Sequence, residues 1–304
     1  MRVRIAVLGA FVADATFRTP RLPRMGETMI GGSVALSPGG KGSNQAVAVA
    51  RLGAEVVFVS RLGKDGLADM ALSIWKEAGV TPLVSRSDGA ATGMACVMVD
   101  AATGDNAIIG HPGAALELSE AEVDAAADAI GAATVFLTQL EQPPAVTMRA
   151  LEIARRAGVT TVLNPAPAAD LPPGMLRLCD YVTPNETEAE RLTGVRGGTE
   201  QGARRAAEAL RERGAGAAAV TLGVRGALFH GPDATPAYRA GPAVETTGAG
   251  DAFNGAFAVA LAEGSDPTRA VRFACAAAGL SVTRPGTAQS MPDRTEVEAL
   301  RAAE

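Results

Sequence analysis

The chain is poor in the residues from which several kinds of site are built. Among 304 residues there are two histidines, His111 and His230, three cysteines and one tryptophan, and aromatics make up only 4%. Two histidines exclude a His-rich metal site and a HExxH metalloprotease, so acid–base chemistry falls to carboxylates. Cys96, Cys179 and Cys275 are odd in number, far apart and form no CxxC pair. That spacing excludes a disulfide framework and a zinc knuckle and points to a reducing compartment. No run approaches the roughly 20 apolar residues that a membrane helix needs. Basic residues are too few for an anionic partner: 28 Lys and Arg face 33 Asp and Glu, a net charge of −5. This argues against a nucleic-acid groove or a membrane surface and for a small-molecule partner. Two nucleotide motifs are also missing. Gly40-Lys41 is followed by Gly42 rather than Ser or Thr, so there is no GxxxxGK[ST], and no GxGxxG follows the first apolar run.

What is present is a chain that is 47% hydrophobic with 35 Gly and 18 Pro, long enough to bury a full core as one domain over 1–304. The first residues resemble a secretory leader in having two arginines before an apolar run. The run is short and passes into Gly9 and Asp14 with no cleavage-like region, so it reads as a buried strand and the protein is expected in the cytoplasm. Short apolar runs at Val3–Leu8, Val56–Ser60, Thr134–Leu137, Thr160–Leu163, Tyr181–Thr183 and Ala218–Leu222 read as strands. Helical patterns lie at Ser43–Leu52, Gly66–Ala78, Pro144–Ala157, Glu186–Leu192, Thr199–Arg213, Ala249–Ala262 and Pro267–Leu280. The alternation predicts an α/β fold: a mostly parallel sheet flanked by helices in a Rossmann-like three-layer arrangement. Two segments break it, at about 13–36 and 91–112, where Met94–Val99 and Asn106–Ile109 read as strands with no helix between them. Short antiparallel pieces of this kind suggest a small β-sheet lid. Trp75, with Leu72 and Ile74, fits a helix's core face, and His111 is read as a loop residue without a role.

The most informative stretch is Glu245-Thr-Thr-Gly-Ala-Gly-Asp-Ala-Phe-Asn-Gly-Ala256. Gly248 and Gly250 let the backbone turn tightly at the start of a helix, where free amides form an anion site. Asp251 in that first turn is placed to take a proton from a hydroxyl that attacks a phosphoryl group. The plain alternative is that Asp251 caps the helix. A second cluster, Pro38-Gly-Gly-Lys-Gly-Ser-Asn-Gln-Ala46, allows a polar ligand near the backbone, with Lys41 and Asn44 as donors suited to sugar hydroxyls. A Gly-rich turn with a solvated lysine is its plain alternative. Asn185 and Glu188 share one helix face, suited to a phosphate and a hydrated Mg²⁺, or simply to complementing the helix dipole. Asp14 and Glu141 follow strands at the end where α/β sheets bind ligands. Thr221-Leu-Gly-Val-Arg-Gly226 is a strand followed by a glycine turn.

Taken together, these motifs resemble the ribokinase-like, or PfkB, family of carbohydrate kinases. The family's first signature runs from Gly39 through Gly53 to Gly63 and its second from Thr246 to Ala258. Further matches in the same order are Gly26-Glu27-Thr28, Gln139-Leu140-Glu141, Asn164-Pro-Ala-Pro-Ala168, Thr183-Pro-Asn-Glu-Thr-Glu-Ala-Glu190, Leu192-Thr-Gly194 and Ser281-Val-Thr-Arg284. The resemblance covers essentially the whole chain. It implies ATP-dependent phosphorylation of a primary sugar hydroxyl, and in the branch it resembles most, the 5-hydroxyl of D-ribose. By the family pattern Asp251 is the base, and the amides of Gly248, Ala249 and Gly250 form the anion hole. Asp14, Gly39, Gly40, Lys41, Asn44 and Glu141 match sugar contacts. Asn185, Thr221, Gly223, Gly226, Gly250 and Cys275 match nucleotide positions. Glu188 matches a water-mediated Mg²⁺ position. Glu245, Thr247, Ser281, Arg284, Gly286 and Ser290 match a site for a monovalent cation, usually K⁺. The resemblance further implies homodimers that pair through their lids.

The chain departs from the family pattern at Glu245, where Asp is usual. One extra methylene extends the carboxylate by about 1.5 Å. In the lid, Gly113-Ala114-Ala115 stands for the usual Gly-Ala-Asn and Gly110 for an apolar residue, and Cys275 stands where His or Asn is common. The roomier lid leaves open a sibling kinase acting on another pentose, a ketohexose, a sugar acid or a nucleoside. A non-catalytic sugar-binding protein has no need of Asp251, and a dehydrogenase on a Rossmann sheet would need the GxGxxG that this chain lacks.

Overall fold

The computed structural model describes residues 3–103, 106–229 and 234–303, and His230 lies outside them. Its first half contains β1 (Arg4–Leu8), β2 (Val12–Thr19), β3 (Ser33–Gly39), α1 (Lys41–Arg51), β4 (Glu55–Leu62), α2 (Gly66–Ala78), β5 (Thr81–Arg86), β6 (Thr92–Asp100) and β7 (Asn106–Gly113). There follow α3 (Glu120–Ala125), α4 (Ala127–Gly131), β8 (Val135–Thr138), α5 (Pro144–Arg156), β9 (Thr160–Leu163), β10 (Tyr181–Val182), α6 (Glu186–Thr193) and α7 (Glu200–Glu212). The last part holds β11 (Ala217–Ala218), β12 (Val220–Thr221), β13 (Ala227–Leu228), α8 (Ala249–Ala262), α9 (Pro267–Ser281) and α10 (Arg294–Ala302).

Seven strands form a sheet in the order β11-β10-β9-β8-β1-β4-β5, and every neighbouring pair is parallel. Successive side chains of a strand point to opposite faces. Accordingly Ile5, Val7, Val135 and Leu137 enter the core packed by α1, α2, α8 and α9. Ala6, Leu8 and Phe136 enter a second core under α3, α4 and α5. Burial on both faces is why these strands are near-continuous apolar runs. Trp75 is fully buried on α2, with its indole N–H donating to Ser43 Oγ at 2.9 Å, the core placement that its spacing predicts.

Strand order reverses between β1 and β8, with β4 and β5 on one side and β9, β10 and β11 on the other. Chains that leave these two strands diverge and open a crevice at the C-terminal edge. The segment after β1 brings Asp14 there, and the segment after β8 brings Gln139 and Glu141.

The remaining large element is a four-stranded sheet in the order β3-β2-β6-β7. It corrects the expectation of antiparallel pieces, because its central pair β2–β6 is parallel, with Asp14 opposite Ala95. Both strands depart from the C-terminal edge of the parallel sheet, after β1 and β5, so they run the same way. The outer pairs β2–β3 and β6–β7 are antiparallel.

Other elements depart from the sequence reading. The expected strand Ala218–Leu222 is divided: Ala217 and Ala218 pair with β10, whereas Val220 and Thr221 pair with Leu228 and Ala227 in a hairpin. Edge strand β5 escapes detection because Pro82 cannot donate to a ladder and is tolerated only at an edge. Helices α3, α4 and α10 are unanticipated. Two of them start at capping boxes, Ser119 with Glu122 and Asp293 with Glu296, a spacing that is visible in the sequence.

Candidate active site

The site forms where α1 and α8 point their N-termini into the crevice. Gly40 ends the turn before α1 with φ +86°, a left-handed conformation in which a side chain is strained. A Cβ there would lie 2.6 Å from Ala10 O and Val12 N, so glycine lets the turn press against the chain leaving β1. Gly39 is hemmed in by the backbone too, since a Cβ there would lie 2.9 Å from Val12 O, and Asp14 Oδ2 sits against it. The two glycines thus bring Asp14 and Lys41 to one place. Glu141 joins them from β8, its Oε2 accepting from the Lys41 backbone N–H at 2.8 Å.

Gly248, at φ +86°, plays the equivalent part before α8. It is the N-cap, so Asp251 does not cap this helix. The Asp251 carboxylate, 6% exposed, accepts instead from Asn44 Nδ2 at 2.9 Å and from Gln45 Nε2 at 3.0 Å. Asp251 and Ala252 direct their amides back to Gly248 O, and Ala249 directs its own at Thr246 O over a long 3.3 Å. Gly248 and Gly250 amides take no backbone partner among the described residues, and open space lies in front of Gly250. Free amides at the positive end of a helix are an anion site.

Four carboxylates surround one lysine here. Burial pushes Asp251 above the ordinary carboxylate range, opposed by Lys41 and by the bonds from Asn44 and Gln45. Burial, with Asp251 and Glu245 nearby, pushes Asp14 up to about 6. Burial also pushes Glu141 up to about 7, with Asp251 and Asp14 adding to it and Lys41 opposing. Burial alone would depress Lys41, but Asp251, Glu141, Glu188 and Asp14 hold its ammonium above its usual value. The pocket thus combines a carboxylate poised to accept a proton with a cation fixed beside it.

A cleft of about 650 Å³ adjoins the glycine turn of α8 and is lined by Thr221, Gly223, Gly226, Gly250, Phe253 and Cys275 among others. Five expected nucleotide positions therefore meet in one cavity. Gly226 there has φ +93°, and a Cβ would fall 1.9 Å from Thr235 O. Asn185 lies next to Thr221 through a parallel bridge but does not line this cleft. Asn185 caps α6 in a box with Glu188, whose Oε2 accepts from Asn185 N and Oε1 from Asn185 Nδ2, both at 2.9 Å. Glu188 is buried, and burial raises it above the usual range. Both side chains are thus engaged in the N-terminus of α6, with Glu186 and Glu188 as acids in its first turn.

Of the positions expected around a monovalent cation, Glu245 and Gly286 meet, Glu245 Oε2 accepting from Gly286 N at 2.9 Å. Ser281 and Ser290 are buried, Thr247 is exposed in the turn before Gly248, and Arg284 turns its side chain away to pair with Glu296 on α10. His111, expected in a loop, lies instead on β7 opposite Met94, and its Nδ1 accepts from Gly113 N at 2.9 Å near the end of that strand.

The fold and this site have counterparts among known proteins. A family model described as pfkB family carbohydrate kinase matches residues 3–294. The chain belongs to the PfkB family of carbohydrate kinases. Within this family it is 40% identical over 299 residues to a ribokinase of Haemophilus influenzae, covering 97% of each chain. It is 36% identical over 293 residues to a deoxyribokinase of Salmonella typhi, covering 95% of each. The structure of an Arabidopsis thaliana ribokinase complexed with ribose and ATP superposes with a TM-score of 0.92 at 34% identity, over 99% of each chain. As a PfkB carbohydrate kinase, the protein is an enzyme of phosphoryl transfer.

The site also contains residues that sequence reasoning assigns no part. Gln45, Gln139 and Asn164 form a buried amide group behind Asp251. Their signal was polarity where the pattern calls for core: Gln45 lies on a helix in which residues 42–49 are all buried.

Proposed function

We propose that this enzyme transfers the γ-phosphate of ATP to the 5-hydroxyl of D-ribose, giving D-ribose 5-phosphate. The observation that carries the reading is the meeting of Asp14, Lys41, Asn44 and Glu141 around Asp251, with free amides at Gly248 and Gly250 in the turn that adjoins the cleft. Carboxylates and amides of this kind form hydrogen bonds with several hydroxyls at once. The ribokinases among its relatives support the sugar, and the ribose and ATP complex of the Arabidopsis protein supports the pair of substrates.

In this reading Asp14, Asn44 and Glu141 bind the sugar hydroxyls and turn the 5-hydroxyl toward Asp251. Asp251 takes the hydroxyl proton as the oxygen attacks, with Lys41 balancing the charge. The Gly248 and Gly250 amides and the helix dipole behind them stabilise the negative charge on the transferring group. Phosphoryl transfer asks little more of a protein than such positioning and charge stabilisation.

The donor set accommodates metal ions in a limited way. Among the described residues no group of three His, Cys, Asp or Glu is placed to hold a metal, and both oxygens of Glu188 are engaged by Asn185. The chain therefore suits a Mg²⁺ that keeps its waters and is held chiefly by the nucleotide phosphates, with Glu188 acting through water. The Glu245 carboxylate, drawn to the 284–290 loop by Gly286, suits a monovalent cation shared with oxygens of Thr247, Ser281, Arg284, Gly286 and Ser290. Such a cation would add positive charge beside the anion hole.

The four-stranded sheet is proposed to act as a lid. Asp14 lies on its inner face, while Phe17, Val34, Leu36, Met94 and Ile109 lie on the opposite face, all at least 39% exposed. Register puts Phe17 beside Val34 and Ala15 beside Leu36 and Cys96. A continuous apolar face of this kind suits a second copy of the chain, and we propose a homodimer through the lids. Among the described residues no helix is long and apolar enough to cross a membrane.

The test is ADP release with Mg-ATP and K⁺ against D-ribose, 2-deoxyribose, fructose, 2-keto-3-deoxygluconate, adenosine and pseudouridine. The highest kcat/KM with ribose supports the reading. A preference for 2-deoxyribose, the second reading that the deoxyribokinase relative favours, moves the substrate and leaves the mechanism.

A further inference from the structure

We propose that Gln45 is a positioning residue for phosphoryl transfer, its side-chain amide fixing the Asp251 carboxylate in one orientation and being locked in turn by Gln139 and Asn164. The inference rests on the reading of Asp251 as the base. Gln45 is fully buried, and both polar atoms of its amide have partners. One Nε2 proton goes to Asp251 Oδ1 at 3.0 Å and the other to Asn164 Oδ1 at 3.1 Å. Its Oε1 accepts from Gln139 Nε2.

The lock follows from what each group is able to donate. An ionised carboxylate only accepts, so Gln45 must turn its NH₂ to Asp251, which leaves Oε1 toward Gln139. Gln139 must then offer its own NH₂, and its Oε1 ends against the backbones of Gly9 and Gly42. That oxygen is buried without a hydrogen-bond partner. The unpartnered atom is the far end of a chain of amides oriented by the base. Asn164 continues the network by donating to Thr183 O at 3.0 Å. Thr183 Oγ1 bonds Asn254 Oδ1, and Asn254 Nδ2 returns to Gly250 O at 2.8 Å. One buried network thus ties the base to the turn that carries the anion hole, and pre-organisation of this kind is what phosphoryl transfer uses.

Other charged groups facing Asp251 are Lys41 at the start of α1, Asp14 on β2, Glu141 after β8 and Glu188 on α6. All stay in place in the variants that test the proposal. Gln45→Met keeps the length and burial of the side chain and removes its donors, and Gln139→Met leaves Gln45 in place but removes the donor that holds its Oε1. Kinetics with ribose and Mg-ATP across pH 5 to 9, ribose binding by calorimetry and thermal melting are measured for both and for Asp251→Asn. For Gln45→Met, kcat is expected to fall about tenfold or more with the ribose KM within about threefold. The acid limb of kcat is expected to move up by about half a pH unit or more, since a carboxylate that loses a donor holds its proton more tightly. Gln139→Met moves it the same way by less. An acid limb unmoved in both variants overturns the proposal, whatever kcat does, because a merely structural role lowers activity without moving the profile. If Gln45→Met does not fold, the limb of Gln139→Met decides alone. Asp251→Asn separates the two readings. Activity within a few-fold of wild type would dismiss Asp251 as the base, whereas loss of turnover with unmoved limbs in the glutamine variants would dismiss only the role of Gln45.

Discussion

Glu141→Gln is expected to stabilise the sugar-free enzyme by an amount that grows with pH. Glu141 is held at about 7 against an ordinary 4.5, chiefly by burial. A carboxyl raised in this way favours the folded state below pH 4.5, and that contribution is lost as pH rises through 7, because the native state binds the proton more tightly than the unfolded chain. At 1.36 kcal/mol per pH unit the cost of ionising it in place is about 1.4 kcal/mol at pH 5.5 and about 3 kcal/mol at pH 8.5. Glutamine has no such cost, and its carbonyl still accepts from the Lys41 N–H. The advantage of the variant therefore grows by about 2 kcal/mol across this range, or about 3 °C in melting temperature for a chain of this size. Scanning fluorimetry of both proteins without sugar at the two pH values measures it. A difference in melting temperature that stays constant with pH would refute the reasoning. The same variant loses a carboxylate acceptor for the sugar, so its ribose KM is expected to rise about tenfold.

Three further outcomes follow from the geometry. Gly40→Ala combines a left-handed φ with Cβ contacts of 2.6 Å to Ala10 O and Val12 N, and is expected to cost about 3 kcal/mol in a urea titration; a loss within the error of wild type would show that the turn relaxes freely. Exchanging Na⁺ for K⁺ is expected to raise kcat, and Glu245→Gln to remove the difference between the salts; equal wild-type rates in both would separate Glu245 from cation binding. Val34→Glu places a charge on the exposed apolar face of the lid sheet and is expected to convert a dimer into a monomer by light scattering; a wild-type protein that is itself monomeric would refute pairing through that face.

Much of the architecture was legible because both faces of the parallel strands are buried, which leaves uninterrupted apolar runs such as Ile5–Leu8 between longer helical periods. Strands without such runs were less legible. Tyr181–Thr183 is found as β10, but β13 is missed, and the division of the expected strand Ala218–Leu222 into β11 and β12 depends on backbone bonds such as Thr221 N to Pro184 O that no side-chain pattern records. The parallel pairing of β2 with β6 joins segments some 80 residues apart in sequence, and it follows from where β1 and β5 end rather than from either strand's composition. In the site, glycines and carboxylates were readable because each has a distinct local job. Asn185 and Glu188 show the limit, since the same three-residue spacing serves a helix cap and a phosphate site.

Gln45 shows why the rest was hidden. Its function depends on partners at positions 139, 164 and 251, supplied by the segments after β8 and β9 and by α8. Taken alone it is one more polar residue in a helix rich in alanine and valine. Only the fold reveals that it is fully buried, and burial turns a neutral amide into a constraint, since an amide away from water must find a partner for each group it can. Asp251 sets the direction of that constraint, and Gln139 Oε1 is left without a partner as its consequence. Polar groups whose burial is uneconomical for folding are retained here around the reacting proton. The excess stability expected of Glu141→Gln and the moved pH profile expected of Gln45→Met are two measurements of that same compromise.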